Sequence, residues 1–167
     1  MSISNAKRNF LLGRASVHKT IRPPWSVNEE LFIERCTRCG ECIKECPNNV
    51  IAVADGGFPK LDFSAAGCDF CEVCVDVCKP RALSKDTQPP LNLLAIIDSS
   101  CFSERGVICR SCGEVCDSRA IHFKLVVGGI THVMIDFNSC NGCGECVSIC
   151  PAHSITMKHR ITQENPA

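Results

Sequence analysis

Sixteen of the 167 residues are cysteine, and none stands apart from the others. They fall into four groups of four: Cys36, Cys39, Cys42, Cys46; Cys68, Cys71, Cys74, Cys78; Cys101, Cys109, Cys112, Cys116; and Cys140, Cys143, Cys146, Cys150. Three groups are spaced C-x2-C-x2-C-x3-C, and the first and fourth run directly into Pro47 and Pro151. The third is looser, with the segment FSERGVI between Cys101 and Cys109. Three thiolates at successive steps of this kind, with a fourth reaching a neighbouring centre, are the ligand pattern of paired 4Fe–4S cubanes. Zinc is the competing reading, but structural zinc sites pair two knuckles across a longer span.

Disulfides are the other use of so many cysteines. A secreted chain should open with an apolar stretch of at least about seven residues, whereas the longest such run in residues 1–28 is Phe10–Leu12. The expectation is a cytoplasmic chain with reduced thiols that bind metal. Composition points the same way. Hydrophobic residues make up 45%, falling to about 35% once cysteine is set aside, with eight Phe, one Trp and no Tyr. Such a core needs help from bound metal.

Crossed ligation assigns the irons. Cluster one takes Cys36, Cys39, Cys42 and Cys78; cluster two takes Cys68, Cys71, Cys74 and Cys46. Cluster three takes Cys101, Cys109, Cys112 and Cys150; cluster four takes Cys140, Cys143, Cys146 and Cys116. The FSERGVI gap should alter the exposure of the third cluster, with a labile or three-iron centre as the alternative outcome there. Gly40 and Gly144 follow the second cysteine of their groups, where a tight loop favours φ > 0; Glu72 holds that place in the second group. The fourth cysteine of each group is expected to open a helix, with proline fixing its start.

The elements that position these groups repeat. Val50–Phe63 and Ala120–Phe137 each read as strand, Gly-Gly turn, strand, ending in Asp-Phe. Phe58, Phe63, Phe123 and Phe137 are expected in the hairpin cores, and Asp62 and Asp136 as turn or cap residues. The fold class is α+β: two tandem two-cluster ferredoxin-like halves, with small β-hairpins and short helices around the clusters. The expected divisions are a flexible basic leader (1–28), a first half (29–88), a Pro linker (89–90), a second half (91–160) and a tail (161–167).

Lys and Arg balance Asp and Glu at 18 each, but residues 1–28 hold five basic residues and no acid, which leaves the body at −5. Four oxidised clusters with their thiolates would add about −8, a surface suited to a basic docking face on a redox partner. No nucleic-acid module accompanies the basic arm. The strongest apolar run, Leu93–Ile97, is far too short to span a membrane. No phosphate loop, H-E-x-x-H or G-x-S-x-G motif is present. His18, His122, His132, His153 and His159 are scattered and read as surface or hydrogen-bonded side chains, so no catalytic residue is assigned.

IRPPWS (Ile21–Ser26), the CTRC lead-in and the irregular third group resemble the NapF-type ferredoxins of periplasmic nitrate reductase systems across essentially the whole chain. The resemblance implies an electron carrier or assembly factor and not an enzyme. Its expected partners are the precursor of the molybdenum-containing catalytic subunit, which it would help to mature before export, and an electron donor still to be identified. A plain electron link between a donor and a reductase is the second reading, and a scaffold whose clusters only hold the fold is the third. Ala6–Leu12 looks like a twin-arginine export motif without its apolar region, which suggests mimicry of a client signal or docking on export machinery; a flexible basic tail is the alternative.

Overall fold

Single helical turns and short strand pairs are marginal in isolation, and this chain is built almost wholly from them. The computed structural model describes residues 20–87, 91–126 and 129–160. In chain order these form α1 (Glu29–Arg35), α2 (Glu41–Lys44), β1 (Ile51–Val53), β2 (Pro59–Leu61), α3 (Val73–Asp76) and β3 (Leu93–Ile97). They continue with α4 (Ser111–Glu114), β4 (Ile121–Leu125), β5 (Thr131–Ile135), α5 (Glu145–Ser148) and β6 (Ile155–His159). No helix among the described residues is long and apolar enough to cross a membrane.

The order one-turn helix, hairpin, one-turn helix occurs twice. In the first hairpin β1 and β2 pair antiparallel with Ile51 opposite Leu61, and both side chains are buried. In the second, β4 and β5 pair with Ile121 opposite Ile135 and Phe123 opposite Val133. Asp62 and Asp136 close these units as expected. The Asp62 carboxylate accepts from Ser64 N–H, and Asp136 accepts from Asn138 N–H and the Ser139 hydroxyl. These contacts, led by the serine hydroxyls, hold both carboxyls below the usual Asp range. The phenylalanines part company: Phe63 is buried, Phe58 and Phe123 are half-buried, and Phe137 is 54% exposed, contrary to the expected core position.

The halves are closed differently. In the second, the run Leu93–Ile97 pairs along its whole length with β6, Leu93 opposite His159 and Ile97 opposite Ile155. In the first, the equivalent closure is made by residues 25–27 against 82–84. Val27 N–H donates to Ala82 O, Ser84 N–H donates to Trp25 O, and Ser26 bridges Leu83. Residues 20–28, read from their charge as the end of a leader, are therefore part of the first half. Trp25 is 4% exposed, and Pro23 and Pro24 are fully buried. Arg22 lies over the Phe32 and Phe58 rings at 4.9 and 5.3 Å while pairing with Glu29 at 2.7 Å. The counted charge hid a half-buried packing residue, because an Arg stem packs like an apolar chain when its head is paired. Asn28 then caps α1 by accepting from Leu31 N–H, with Glu29 and Glu30 in the first turn and Phe32 wholly buried beneath. The rest of the expected leader (1–19, including Ala6–Leu12 and His18), the Pro linker and the tail lie outside the described residues.

Leu91 and Leu93, from the start of the second half, pack into the first core, and Val147 and Met157 touch both cores. Trp25→Ala is expected to cost about 3–5 kcal/mol, with Trp25→Phe recovering most of it. Denaturant unfolding of the loaded protein followed by circular dichroism checks this; a loss below about 1 kcal/mol would mean that the segment merely rests on the surface.

Candidate metal centres

Each regular cysteine group turns on a pair of left-handed residues that flank its second cysteine. They are Arg38 and Gly40 (φ 60° and 79°), Phe70 and Glu72 (58° and 65°), and Gly142 and Gly144 (79° and 81°). Glu72 shows that glycine is not obligatory after that cysteine. The helical turn begins there, carries the third cysteine and ends before the fourth. The fourth cysteine, expected to open a helix, instead opens a turn. Asn49, Arg81, Arg119 and His153, each three residues after it, all have φ near 50° and donate their N–H to its carbonyl at 2.9–3.1 Å. This turn stops the chain from running on and sends the fourth thiol toward the neighbouring group.

The result is four cavities, each lined by four cysteines. The first is lined by Cys36, Cys39, Cys42 and Cys78; the second by Cys46, Cys68, Cys71 and Cys74. The third is lined by Cys101, Cys109, Cys112 and Cys150, and the fourth by Cys116, Cys140, Cys143 and Cys146. In every case the fourth cysteine of one group joins the first three of the other group in its half. Among the described residues, no three His, Cys, Asp or Glu side chains converge on a single-ion site. The thiols surround a space, as a cubane requires, whereas tetrahedral zinc draws four sulfurs onto one point about 2.3 Å away.

Electrostatics report the same neighbours. Burial, and then the other thiols of its own cavity, push Cys42 and Cys112 up to about 11 and Cys146 to about 12. Burial likewise raises Cys68 to about 11 and Cys74 to about 12. Without metal these thiols hold their protons at neutral pH, so assembling a centre there must release them. Cys39 and Cys71 are exposed, while Cys101, Cys112 and Cys150 are all buried. The third cavity, where a gap was expected to change exposure, thus holds three buried thiols and the half-buried Cys109. The inserted segment forms a short 3-10 turn (Ser103–Arg105), and the Ser103 hydroxyl donates to Cys109 O. Ile108 is left outside at 97% exposure.

Donors to sulfur differ among the sites. Phe70 N–H reaches Cys68 Sγ at 3.4 Å and Ala120 N–H reaches Cys116 Sγ at 3.3 Å. Cys150 Sγ receives both Ser154 N–H at 3.4 Å and a contact from the Ser154 hydroxyl at 3.3 Å. Ser154 was not singled out from the sequence. Aligning the groups on their last cysteine would have found it, because Val50, Ala82 and Ala120 hold the same place four residues on. His122, His132 and His153 are exposed as expected, and His132 Nδ1 lies 3.9 Å from Glu104.

Two stretches, residues 35–82 and 107–154, match the 4Fe–4S dicluster domain family. The protein is therefore a 4Fe–4S iron–sulfur protein with two dicluster repeats and about four clusters. Cys101 lies outside both matched stretches, and it is the cavity that ties it to the third set. The chain is 41% identical to ferredoxin-type protein NapF of Haemophilus influenzae over 92% of its own length and 83% of that protein's. It is 35% identical to the Escherichia coli protein of the same name over 95% and 98%. Ferredoxin-type protein NapG of Escherichia coli is 28% identical over 78% and 65%. The chain belongs to the NapF-type ferredoxin family.

Hydrogen bonds to cluster sulfurs favour the more reduced state and so raise its potential. Ser154→Ala is expected to lower the midpoint potential of one cluster while leaving the iron content unchanged. A redox titration followed by EPR checks this, and an unshifted potential would remove the hydroxyl from the account.

Proposed function

We propose that the chain is a cytoplasmic electron-delivering assembly factor: it binds the precursor of the molybdenum-containing catalytic subunit of a periplasmic nitrate reductase and supplies it with electrons or clusters before export. Its two tandem halves are ferredoxin-like, and the crossed sets ligate the iron as their cavities group them. Clusters one and two are held by Cys36, Cys39, Cys42, Cys78 and by Cys46, Cys68, Cys71, Cys74. Clusters three and four are held by Cys101, Cys109, Cys112, Cys150 and by Cys116, Cys140, Cys143, Cys146. Each cluster supplies one-electron chemistry when bound. The chain's own residues hold it and set its potential through burial and N–H donors.

The observation that carries this reading is the grouping of sixteen thiols into four cavities within a chain of the NapF-type family. The acidic body, made more so by its clusters, suits a partner with a basic face. A plain electron link between a donor and a reductase is the second reading, favoured by the two exposed ligands Cys39 and Cys71, which leave the first and second clusters open to a transient partner.

An anaerobic pull-down from the cytosol of nitrate-grown cells separates the two readings. Capture of the catalytic subunit with its signal peptide still attached, and not of the mature form, is the expected result. Loaded protein that retains no precursor would leave only the electron link.

A further inference from the structure

Among the described residues, one backbone hydrogen bond joins the two halves, and it lies between metal sites. Cys68 N–H donates to Cys143 O at 2.8 Å, joining a residue of the second set to one of the fourth. One residue earlier, Gly67 N–H donates to Glu145 Oε2 at 2.7 Å, across 78 positions of sequence. The Gly67 carbonyl is held from its own half by Asn48 Nδ2 at 3.2 Å, two residues beyond Cys46. Gly67 is buried and has no room for a side chain, since a Cβ there would stand 2.6 Å from Glu145 N. The Phe63 ring fills the space beside Gly144 in the same way. Two glycines and two hydrogen bonds therefore let the ligand loops of different halves lie directly against each other.

Within each half the sets are neighbours too. Cys46 leaves the first group to line the second cavity and Cys78 does the reverse, and Cys116 and Cys150 cross in the same way between the fourth and third cavities. Contacts thus run from the first set to the second, across the junction to the fourth, and on to the third. This is not chain order. Electron tunnelling falls off steeply with distance and is better through a bond or hydrogen bond than through a gap, so a direct contact between ligand loops is the favoured crossing.

We propose that Gly67, Cys68, Cys143 and Glu145 form the electron bridge between the halves, so that electrons travel in the order first, second, fourth, third. Glu145 and Gly67 act as positioning residues: neither touches iron, and together they hold the Cys68–Cys143 contact closed. Each transfer moves one electron, one cluster being oxidised as the next is reduced, with no bond made or broken. The electron comes from a low-potential one-electron donor that docks at the exposed Cys39 of the first set. The third site, where Cys101, Cys112 and Cys150 are buried, is the far terminus and not an intermediate. The inference rests on the electron-carrier reading.

The test uses the full-length loaded protein and flash photoreduction, with the distribution of reduced clusters followed by rapid-freeze EPR. Glu145→Ala and Gly67→Ala, at unchanged iron and sulfide content, should slow redistribution between the halves several-fold while leaving redistribution within each half alone. Glu145→Gln, whose amide oxygen still accepts from Gly67 N–H, should restore it. Unchanged inter-half rates in both slow variants would overturn the proposal. Where a variant loads poorly, spin–spin coupling in the partly reduced unmodified protein gives the answer. The strongest inter-half coupling should join the second and fourth clusters, and a stronger pair elsewhere would overturn the bridge. Clusters that do not reduce and reoxidise reversibly would sink the electron-carrier reading instead, a different failure from an unslowed bridge.

Discussion

Thiols crowded into a buried space cannot all ionise together, and every other feature of this chain answers to that constraint. Burial pushes the innermost thiols to about 11 or 12, and each added thiolate raises the next. The positive charge of a bound metal core lets four sulfurs sit charged in one cavity. The protein surrounds each cavity with turns too short to persist by themselves, so metal binding and folding become one process. A core with one tryptophan and no tyrosine suffices because the clusters serve as its centre.

The repeated turn after each fourth cysteine is the device that makes the pairs. Left-handed residues at Asn49, Arg81, Arg119 and His153 reverse the chain, so each group gives three thiols to one cavity and one to the next. The two halves therefore share a logic but differ in closure. One is completed by a full strand pair and the other by the Ile21–Val27 segment, with Arg22 between two phenylalanine rings. The irregular third group reaches the same end by another route, with a 3-10 turn between Cys101 and Cys109 where the other groups use alternating left-handed residues.

Much of this was legible because cysteine spacing is a covalent constraint: the four sets, both hairpins and the Asp turns follow from local pattern. What escaped the sequence depends on distant neighbours. Phe63 and Phe137 hold the same place in the repeat, yet only Phe63 finds a glycine of the other half to cover, and Phe137 stays exposed. The Gly67–Glu145 contact spans 78 residues and has no periodic signal. Arg22 was counted as leader charge because charge alone does not tell a solvated arm from a stacked guanidinium. The helix expected after each fourth cysteine failed for a related reason. Proline suits the first turn of a helix and a reverse turn equally, and the left-handed residue two positions after Pro47 and Pro151 decides for the turn.

Crossed ligation in four cavities is tested most directly by iron counting and EPR on cysteine variants. The intact protein should hold about sixteen irons and sixteen sulfides. Cys150→Ser should weaken or remove the same EPR signal that Cys101→Ser affects, and Cys116→Ser the same one as Cys140→Ser. If Cys150→Ser instead removed the signal lost with Cys140→Ser, each group would be holding its own cluster, and the exchange between groups on which this reading depends would be wrong.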